Sequence, residues 1–235
     1  MRCDSEKCHP VLPCLRNRAL AKDVPRFDKV SWYSATRCNA TKLILSIIGE
    51  HSSTPKTVWD AFGGSGADAI AFLLHGFAKV AVTELDPTRA RSARQRIVAY
   101  ARDAEIPVSR LTLTVGDSTA EKNMHDADIV YADPPWGGPL YKNQDVIKIK
   151  LNDKALGAYI ADFRKHSHQL LVLKLPYNYD YNGDKRVFPK SAVGYHIFRQ
   201  GKQHPDFDII VIPQKGPIKP SSKPLESGAY RAVPF

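Results

Sequence analysis

Long hydrophobic runs are missing from this sequence of 235 residues. The longest uncharged apolar stretch, residues 69–78, has ten residues and contains His75, whereas a membrane-spanning helix needs ~20. Cysteines number only four and are too unevenly spaced for a disulfide framework. Charged residues precede the first apolar run, which excludes a secretory signal. We therefore expect no membrane span and an intracellular location, nuclear or cytoplasmic.

Tight cysteine pairs are also missing. Cys3, Cys8, His9 and Cys14 have spacings of five and six between the cysteines (8 − 3 and 14 − 8), which differ from those of most zinc sites, so we expect no bound metal. Acidic residues are outnumbered, with 24 Asp and Glu against 34 Lys and Arg and a net charge of +10. Such an excess is typical of proteins with a polyanionic partner such as nucleic acid. A solubilising surface explains it equally well.

The pattern between the ends of the chain alternates strands with helices. We predict an N-terminal segment over residues 1–30, a central domain over residues 31–214, and an extended or mobile Pro/Lys-rich tail over residues 215–235. The predicted strands are residues 57–61, 79–85, 110–115, 129–132, 170–175, 195–199 and 207–212. The predicted helices are residues 36–48, 67–75, 87–104 and 153–166. This order predicts an α/β fold with a mostly parallel seven-stranded sheet, an antiparallel edge pair and helices on both faces.

A glycine-rich turn follows the first predicted strand and reads Asp60-Ala-Phe-Gly-Gly-Ser-Gly66. Its spacing matches neither the dinucleotide fingerprint nor the phosphate-binding Walker loop. The Asp60 carboxylate would repel a pyrophosphate but can accept a hydrogen bond from an ammonium group, which favours a nucleoside that carries an amino acid, such as S-adenosylmethionine. The predicted contacts of this loop are Asp60, Phe62, Gly63, Gly64 and Gly66.

Acidic residues end the next two predicted strands as well. Glu84 ends the second strand, where a carboxylate binds ribose hydroxyls in other doubly wound folds. Asp117 and Ser118 follow the third strand, and Asp117 can accept a hydrogen bond from an adenine amino group. Because the carboxyl ends of parallel strands share one edge of a sheet, these residues together predict an adenosine-type cofactor site.

A proline-rich loop follows the fourth predicted strand and reads Asp133-Pro-Pro-Trp-Gly-Gly-Pro-Leu-Tyr141. The Asp133 carboxylate and the Pro134 carbonyl can accept the two N–H groups of an exocyclic amine while an aromatic ring stacks on the base, so that catalysis is mostly positioning. In a doubly wound sheet the first and fourth strands flank the ligand crevice, so we expect Asp133 to contact the cofactor too. Indole is the best side chain for holding a cation over its face, and a 7-methylated guanine is a cationic base. Trp136 in this loop therefore favours a 7-methylated guanine as the substrate. A stiff surface turn is the alternative interpretation.

This loop resembles the signature of the RNA cap guanine-N2 methyltransferases, the trimethylguanosine synthase family. Four further stretches agree: Arg26-Phe-Asp28, Trp32-Tyr-Ser-Ala-Thr36, Asp60-Ala-Phe-Gly-Gly64 and Leu175-Pro-Tyr-Asn178. The resemblance spans residues 26–178. It implies a class I, Rossmann-like methyltransferase fold, S-adenosyl-L-methionine as cofactor, and methyl transfer to the exocyclic N2 amine of a 7-methylguanosine RNA cap.

The resemblance also implies residue roles. The positions of Thr36, Asp60, Glu84 and Asp117 imply cofactor binding. Trp136 falls where the family stacks 7-methylguanine, and Tyr141 falls at a contact to the cap phosphates. Asp133 and Pro134 hold the amine; many relatives have Ser at the former position, so a strong general base is not required there. Tyr177 replaces a common Arg before Asn178, so either a phosphate contact is missing or Lys174 replaces it, and Asn178 is expected to contact the substrate. Residues 1–30 are a candidate cap- or RNA-clamping extension.

Basic residues follow two of the predicted strand ends. We expect some of them to contact the cap triphosphate, while a solvated charged loop is the alternative; they are Lys142, Lys148, Lys150, Lys185, Arg186 and Lys190. Five arginines on the helix predicted at residues 87–104 are expected only to solvate it; they are Arg89, Arg91, Arg94, Arg96 and Arg102.

Two other functions compete with cap methylation. One is a guanine-N2 or adenine-N6 methyltransferase that acts on internal bases of rRNA, tRNA or DNA. The other is a non-catalytic module that binds the cap. The expected partner is capped RNA, through its 7-methylguanosine and triphosphate bridge, with no obligate protein partner evident.

Overall fold

The structure, a computed structural model, describes residues 11–12, 15, 20–22, 24–52, 54–184, 187–198, 205–214 and 230–234. The chain divides into two compact units. The first comprises residues 1–46 and 56–123, and the second comprises residues 47–55 and 124–235. Within the described residues, no helix is both long enough and apolar enough to cross a bilayer.

The first unit contains three parallel strands in the order β1-β2-β3. The strands are β1 (Thr57–Asp60), β2 (Lys79–Glu84) and β3 (Leu111–Val115). The helices are α1 (Lys29–Ser34), the first part of α2 (Cys38–His51), α3 (Ala67–His75) and α4 (Pro87–Asp103). The register pairs Asp60 with Val82 and Glu84 with Val115. The carboxyl ends of the three strands therefore lie along one edge.

Local sequence accounts for the ends of the helices in this unit. Asp86 caps α4 because its carboxylate accepts hydrogen bonds from the backbone N–H groups of Thr88 and Arg89, both at 2.8 Å. Pro87 then occupies the first turn, where a missing N–H costs nothing. Helix α3 ends at His75 and is capped by Gly76, whose φ of 108° is easily adopted only by glycine.

Fully buried apolar side chains of β1 and β2 form the core of the first unit. Val58, Trp59, Val80 and Val82 are each at most 1% exposed. The Trp59 indole N–H donates a hydrogen bond to Thr83 Oγ1 at 3.0 Å, which satisfies the single polar atom of that ring. Trp32 on α1 is the opposite case, with 57% of its surface exposed.

The second unit contains a five-stranded portion in the order β4-β7-β9-β8-β10. Its strands are β4 (Ala127–Ala132), β5 (Lys150–Leu151), β6 (Lys154–Ala155), β7 (Ser167–Pro176), β8 (Val193–Phe198), β9 (Pro205–Pro213) and β10 (Tyr230–Pro234), and its helices are α5 (Gly157–Lys165) and α6 (Tyr181–Asp184). Strands β4 and β7 are parallel, with Ala132 opposite Leu173. The β7–β9, β8–β9 and β8–β10 pairs are antiparallel.

All seven predicted strands are present, and the last two form the predicted antiparallel pair, β8 and β9. Strand β10 is an additional one, within the segment interpreted as an extended or mobile tail. Residues 215–229 of that segment lie outside the described residues, as do residues 1–10 of the N-terminal segment and Arg199 at the end of a predicted strand. The three predicted domain boundaries stay predictions.

The helix predicted at residues 153–166 begins later than expected, at Gly157. The short hairpin β5–β6 takes the preceding residues. Asn152 and Asp153 form its turn, with φ of 48° and 62°. Asn and Asp tolerate this left-handed region better than other residues with a side chain, and two of them in sequence favour a tight hairpin turn over a helix start.

Candidate functional site

The glycine loop, residues 60–66, links β1 to α3 by a turn that only glycines allow. Gly64 and Gly66 have φ of 50° and 79°. A Cβ on Gly63 would lie 2.2 Å from Val82 Cγ1, so no side chain fits there. The Gly63 N–H donates to the Thr83 carbonyl at 2.8 Å, which fixes the loop against β2. The loop is therefore tightly packed against the sheet on the side of Gly63.

Glu84 lies beside this loop and is 6% exposed. Its Oε2 accepts a hydrogen bond from the Gly64 N–H at 2.8 Å, and its Oε1 accepts from the Asp86 N–H at 2.9 Å and from Arg89 at 3.0 Å. A carboxylate has about four acceptor positions, so these contacts leave room for a ribose hydroxyl. Ribose binding by Glu84 stays a prediction, and the contacts reveal a second role in shaping the glycine loop.

Two further predicted cofactor residues also hold parts of the first unit in place. Asp60 is 2% exposed, and its Oδ1 accepts a long hydrogen bond of 3.4 Å from the Phe62 N–H. Thr36 is 4% exposed and donates from Oγ1 to Asp68 Oδ2 on α3 at 2.8 Å. Thr41 of α2 donates to the other oxygen of Asp68 at 3.3 Å. The segment before α2 is thereby joined to the first turn of α3, directly after the glycine loop.

Asp117 forms a closed turn after β3. Its Oδ1 accepts hydrogen bonds from the backbone N–H and the hydroxyl of Thr119, at 2.8 and 2.7 Å. Asn123 donates to the Asp117 carbonyl at 2.9 Å. Ser118 is 5% exposed within the same turn. The structure thus brings Asp60, Glu84 and Asp117 to the carboxyl ends of three adjacent strands.

The expectation that Arg89 and Arg96 only solvate α4 is wrong. Arg96 is 1% exposed and donates to the backbone carbonyls of Ser65, Arg26 and Pro25, at 2.8, 3.0 and 3.1 Å. A helical pattern could have found it, because Ala93, Ile97 and Tyr100 of the same stripe are buried. Arg96 therefore ties the glycine loop to the segment before α1.

Arg89 connects the same segment to Glu84. Its Nε lies 3.6 Å from Asp28 Oδ2 while its Nη1 bonds Glu84. Partial burial raises the pKa of Asp28, but hydrogen bonds from Ser31 and the positive charges of Arg89 and Arg96 lower it by more, so the net shift is downward. Asp28 stays ionised and caps α1 through the Ser31 N–H.

The base loop, residues 133–141, follows β4 in the second unit. Gly137 and Gly138 have φ of 85° and 83°, which turns the chain away from the strand. Pro134 is buried and Pro135 is exposed. The rings of Trp136 and Tyr141 pack edge to face, with centroids 5.1 Å apart and an interplanar angle of 84°. Trp136 and Tyr141, the two aromatic residues predicted to contact the cap, therefore pack against each other.

A lysine from the neighbouring strand β7 joins this loop. Lys174 Nζ lies 2.6 Å from Asp133 Oδ2 and 5.2 Å from the centroid of the Trp136 ring. Lys142 Nζ lies 5.7 Å from the centroid of Tyr141. A phosphate contact by Lys174 stays a prediction, and in the structure its ammonium contacts the carboxylate and the indole predicted to hold the base.

Asn178 fastens the base loop from the segment after β7. Its Nδ2 donates to the Tyr141 carbonyl at 3.0 Å and to the Gln144 carbonyl at 2.6 Å. Among the residues that the structure describes, the buried Asn178 Oδ1 and the buried indole N–H of Trp136 have no hydrogen-bond partner.

A buried carboxylate that sequence reasoning missed stabilises the segment after Asn178. Asp208 on β9 is 2% exposed and accepts from the Tyr181 hydroxyl at 2.8 Å, and it contacts His196 Nδ1 at 2.6 Å. Burial raises the pKa of Asp208 despite these two hydrogen bonds. Burial and the charge of Asp208 raise the pKa of Tyr181, so the phenol stays protonated and donates.

The other basic residues predicted to contact the triphosphate are exposed wherever the structure describes them. Lys148 is 73% exposed and lies 3.6 Å from Asp180 Oδ2, while Lys150 and Lys190 are exposed. Lys185 and Arg186 lie outside the described residues, as do Cys3, Cys8, His9 and Cys14.

Comparison with known proteins gives the family. A model of the RNA cap guanine-N2 methyltransferases matches residues 55–193, more than half of the chain. The chain belongs to this family. The trimethylguanosine synthase of Schizosaccharomyces pombe (strain 972) is 32% identical over 131 residues, which are 54% of this chain and 51% of that protein. The chain therefore spans about half the length of this curated relative.

Solved structures show the fold of this chain. A protein described as a methyltransferase from Porphyromonas gingivalis W83 has a TM-score of 0.61 at 16% identity, over 88% of this chain and 50% of that one. The glycopeptide N-methyltransferase MtfA, solved in complex with S-adenosyl-L-methionine, has a TM-score of 0.50 at 14% identity, over 73% of this chain and 93% of that one. The predicted Rossmann-like class I methyltransferase fold is confirmed.

S-adenosyl-L-methionine is the cofactor, as predicted for a member of this methyltransferase family. The residues of the first unit fit it chemically. The glycine loop has no room for a side chain at Gly63, and two buried carboxylates, Asp60 and Glu84, end β1 and β2. Carboxylates at these positions suit the ammonium and hydroxyl donors of an amino-acid nucleoside.

Proposed function

We propose that this chain transfers a methyl group from S-adenosyl-L-methionine to the exocyclic N2 amine of a 7-methylguanosine RNA cap. The observation that carries the proposal is the environment of Trp136. Its half-buried indole stands in a loop fixed by Asn178 and packs against Tyr141. The family match over residues 55–193 supports the same substrate.

In the proposed reaction, residues of the first unit bind the cofactor. Asp60 accepts from its ammonium group, Glu84 accepts from the ribose hydroxyls, and Asp117 accepts from the adenine amine. Thr36, Phe62, Ser118 and the glycines at 63, 64 and 66 complete this surface. S-adenosyl-L-methionine supplies an electrophilic methyl group on a sulfonium.

Residues of the second unit bind the base in the proposed reaction. Trp136 stacks on the 7-methylguanine, and the Asp133 carboxylate and the Pro134 carbonyl accept the two N–H groups of the amine. The N2 lone pair then forms the new N–C bond as the sulfonium C–S bond breaks, and one N2 proton passes to water. Because Asp133 is paired with Lys174, we assign it to orienting the amine and not to removing its proton.

Polar and basic residues would bind the triphosphate in this proposal. The surface assigned to it comprises Tyr141, Lys142, Asn178, Lys185 and Arg186. For the base itself, a cation–π contact with the Trp136 indole is worth about 0.5–2 kcal/mol, so an alkylated, cationic guanine should bind more tightly than a neutral one. An intracellular location belongs to the same proposal, because capped RNA is made and used inside cells.

Mass spectrometry of cap analogues tests the proposal. The full chain is incubated with S-adenosyl-L-methionine and either a 7-methylguanosine cap analogue or its unmethylated counterpart. We expect a mass gain of one or two methyl groups on the first, located on N2 by fragmentation, and little on the second. Methylation of the unmethylated analogue alone, or of internal bases alone, contradicts the proposal. Retention on a 7-methylguanosine resin without any methyl transfer favours the non-catalytic module.

A variant pair assigns the stacking role. Trp136→Ala is expected to lose most affinity for the 7-methylguanosine analogue while keeping its affinity for S-adenosyl-L-methionine. Leu140→Ala is the matched control, because Leu140 lies in the same loop with 67% of its surface exposed. Equal loss of both ligands in Trp136→Ala would contradict the assigned role.

A further inference from the structure

The pairing of Asp133 with Lys174 is built into the backbone. Strands β4 and β7 run parallel with Ala132 opposite Leu173. Asp133, the first residue after β4, is therefore a neighbour of Lys174, the next residue of β7. Their charged atoms are 2.6 Å apart, and the two side chains are 16% and 5% exposed. This is a short, largely buried ion pair and not a surface contact.

The same ammonium also contacts aromatic rings. Lys174 Nζ lies 5.2 Å from the centroid of Trp136 and 5.1 Å from that of Phe207 on β9. Both distances are within the range of cation–π attraction. A single lysine therefore links the carboxylate proposed to hold the amine to the indole proposed to stack on the base.

A charged group at this position is costly for the fold. Leu173, Leu175 and Ile209, which flank Lys174 along β7 and across on β9, have no measurable exposure. Burying an ion pair costs several kcal/mol per ion before the mutual attraction is counted, and apolar replacements are often neutral or stabilising. An interior lysine beside a ligand-binding loop is therefore a candidate for a functional role.

We propose that Lys174 is a positioning and specificity-determining residue of the base site and not a phosphate contact. It holds Asp133 through Oδ2 and offsets its negative charge beside the Trp136 ring. This inference rests on the proposed function, because it concerns which guanine the indole accepts.

The charges predict opposite effects for the two members of the pair. Asp133 attracts a cationic base, and the Lys174 ammonium near the same ring repels it, so the selectivity for 7-methylguanine over guanine depends on their balance. Without the lysine charge, the affinity for a cationic base should rise relative to the affinity for a neutral one. Without the aspartate charge, the relative affinity for the cationic base should fall.

Isothermal titration calorimetry on the full chain measures this balance. The probes are 7-methyl-GTP and GTP. The variants are Lys174→Gln, Asp133→Asn and the double variant, in which the replacing side chains are polar and can still form hydrogen bonds. We expect the affinity ratio of the two nucleotides to rise roughly ten-fold in Lys174→Gln and to fall roughly ten-fold in Asp133→Asn. The double variant should return to within about three-fold of the original ratio.

Changes of opposite sign separate this role from a structural one. A lysine that only supports the loop would change both affinities together and leave their ratio constant, and that result would overturn the inference. Lys174→Arg keeps the charge and should keep the ratio. If Lys174→Gln does not fold, as judged by thermal unfolding, Lys174→Met replaces it with the same expectation.

A second comparison tests the phosphate role that we reject. The gain in affinity from 7-methylguanosine to 7-methyl-GTP should be the same in the parent chain and in Lys174→Gln. A selective loss of that gain in the variant would show a phosphate contact and overturn the inference. If the parent chain binds neither nucleotide, or shows no preference, the proposed function itself fails, which is distinct from a preference that the variants leave unchanged.

Discussion

The glycine loop and the base loop are held in place by different means. In the glycine loop, the main chain makes the key contacts: Gly63 and Gly64 donate their backbone N–H groups to Thr83 and Glu84. In the base loop, side chains from β7 and the segment after it make them, namely Lys174 and Asn178. The first loop can be recognised from its glycines, whereas the second depends on residues about 40 positions away along the chain (174 − 133 = 41).

The largest expected effect tests the support beneath the glycine loop. Arg96→Leu leaves three backbone carbonyls without their donor, so we expect a loss of about 4 kcal/mol in the free energy of unfolding. Urea denaturation measures it. Arg94→Leu is the control, because Arg94 is exposed on the same helix, and it should change stability by less than about 0.5 kcal/mol. Equal effects of the two would contradict the role of Arg96.

The next effect concerns the loop itself. Gly63→Ala places a Cβ 2.2 Å from Val82 Cγ1, and we expect it to cost about 3 kcal/mol in stability and to weaken S-adenosyl-L-methionine binding by calorimetry. Gly49→Ala is the control, since a Cβ at this helical position meets nothing within 4 Å. It should stabilise the protein by up to about 1 kcal/mol. Unchanged cofactor affinity in Gly63→Ala would show that the turn tolerates displacement.

A smaller effect is expected in the base loop. Asn178→Ala removes the donor to the Tyr141 and Gln144 carbonyls, which should cost about 2 kcal/mol in stability and raise the KM for a cap analogue more than it lowers kcat. Steady-state kinetics and thermal unfolding measure both. Asn143→Ala, at an exposed position nearby, should change neither. A fall in kcat alone would place Asn178 in the chemical step instead of in loop positioning.

The smallest expected effect is the contribution of His51 to the pH dependence of stability, which should leave the glycine loop and the base loop unaltered. Burial lowers the pKa of His51 to about 4, below its value of about 6.5 in an unfolded chain. The unfolded state therefore binds more protons between these values, so this group stabilises the fold above about pH 6.5 and its contribution is lost as the pH falls toward 4. We expect about 1 kcal/mol between pH 7 and 5, allowing for partial exposure.

His51→Gln isolates this contribution from other titrating groups. The variant should lose that part of the pH dependence in denaturation experiments and keep its affinity for S-adenosyl-L-methionine. An identical pH dependence in the parent chain and the variant would contradict the assignment to His51.

Regular elements were predictable because hydrophobic periodicity and end signals agree. The α3 bounds match residue for residue, and α4 differs by one residue at its end. Asp86 and Pro87 mark the start of α4 clearly. Helix α1 was missed, because its six residues carry too little periodicity to be distinguished from a loop.

The site was predictable in its residue types but not in its partners. The order of Asp133, Trp136 and Tyr141 within one proline-rich loop is enough to predict a base site. The contact between Asp133 and Lys174 depends on the register of β4 and β7, which no local pattern specifies. For the same reason the partner of Lys174 was not predicted, although a lysine within an otherwise apolar strand favours a paired, buried charge.

The three tryptophans of the chain have three different surroundings. Trp59 is fully buried and bonded to Thr83, Trp32 is mostly exposed, and Trp136 is half-buried beside an ammonium group. Their emission should differ in colour and in sensitivity to a soluble quencher such as iodide. Phenylalanine replacements at positions 32 and 59 would leave Trp136 as the lone tryptophan, and the dimming of its emission on addition of a nucleotide would then measure occupancy of the proposed base site without any attached dye.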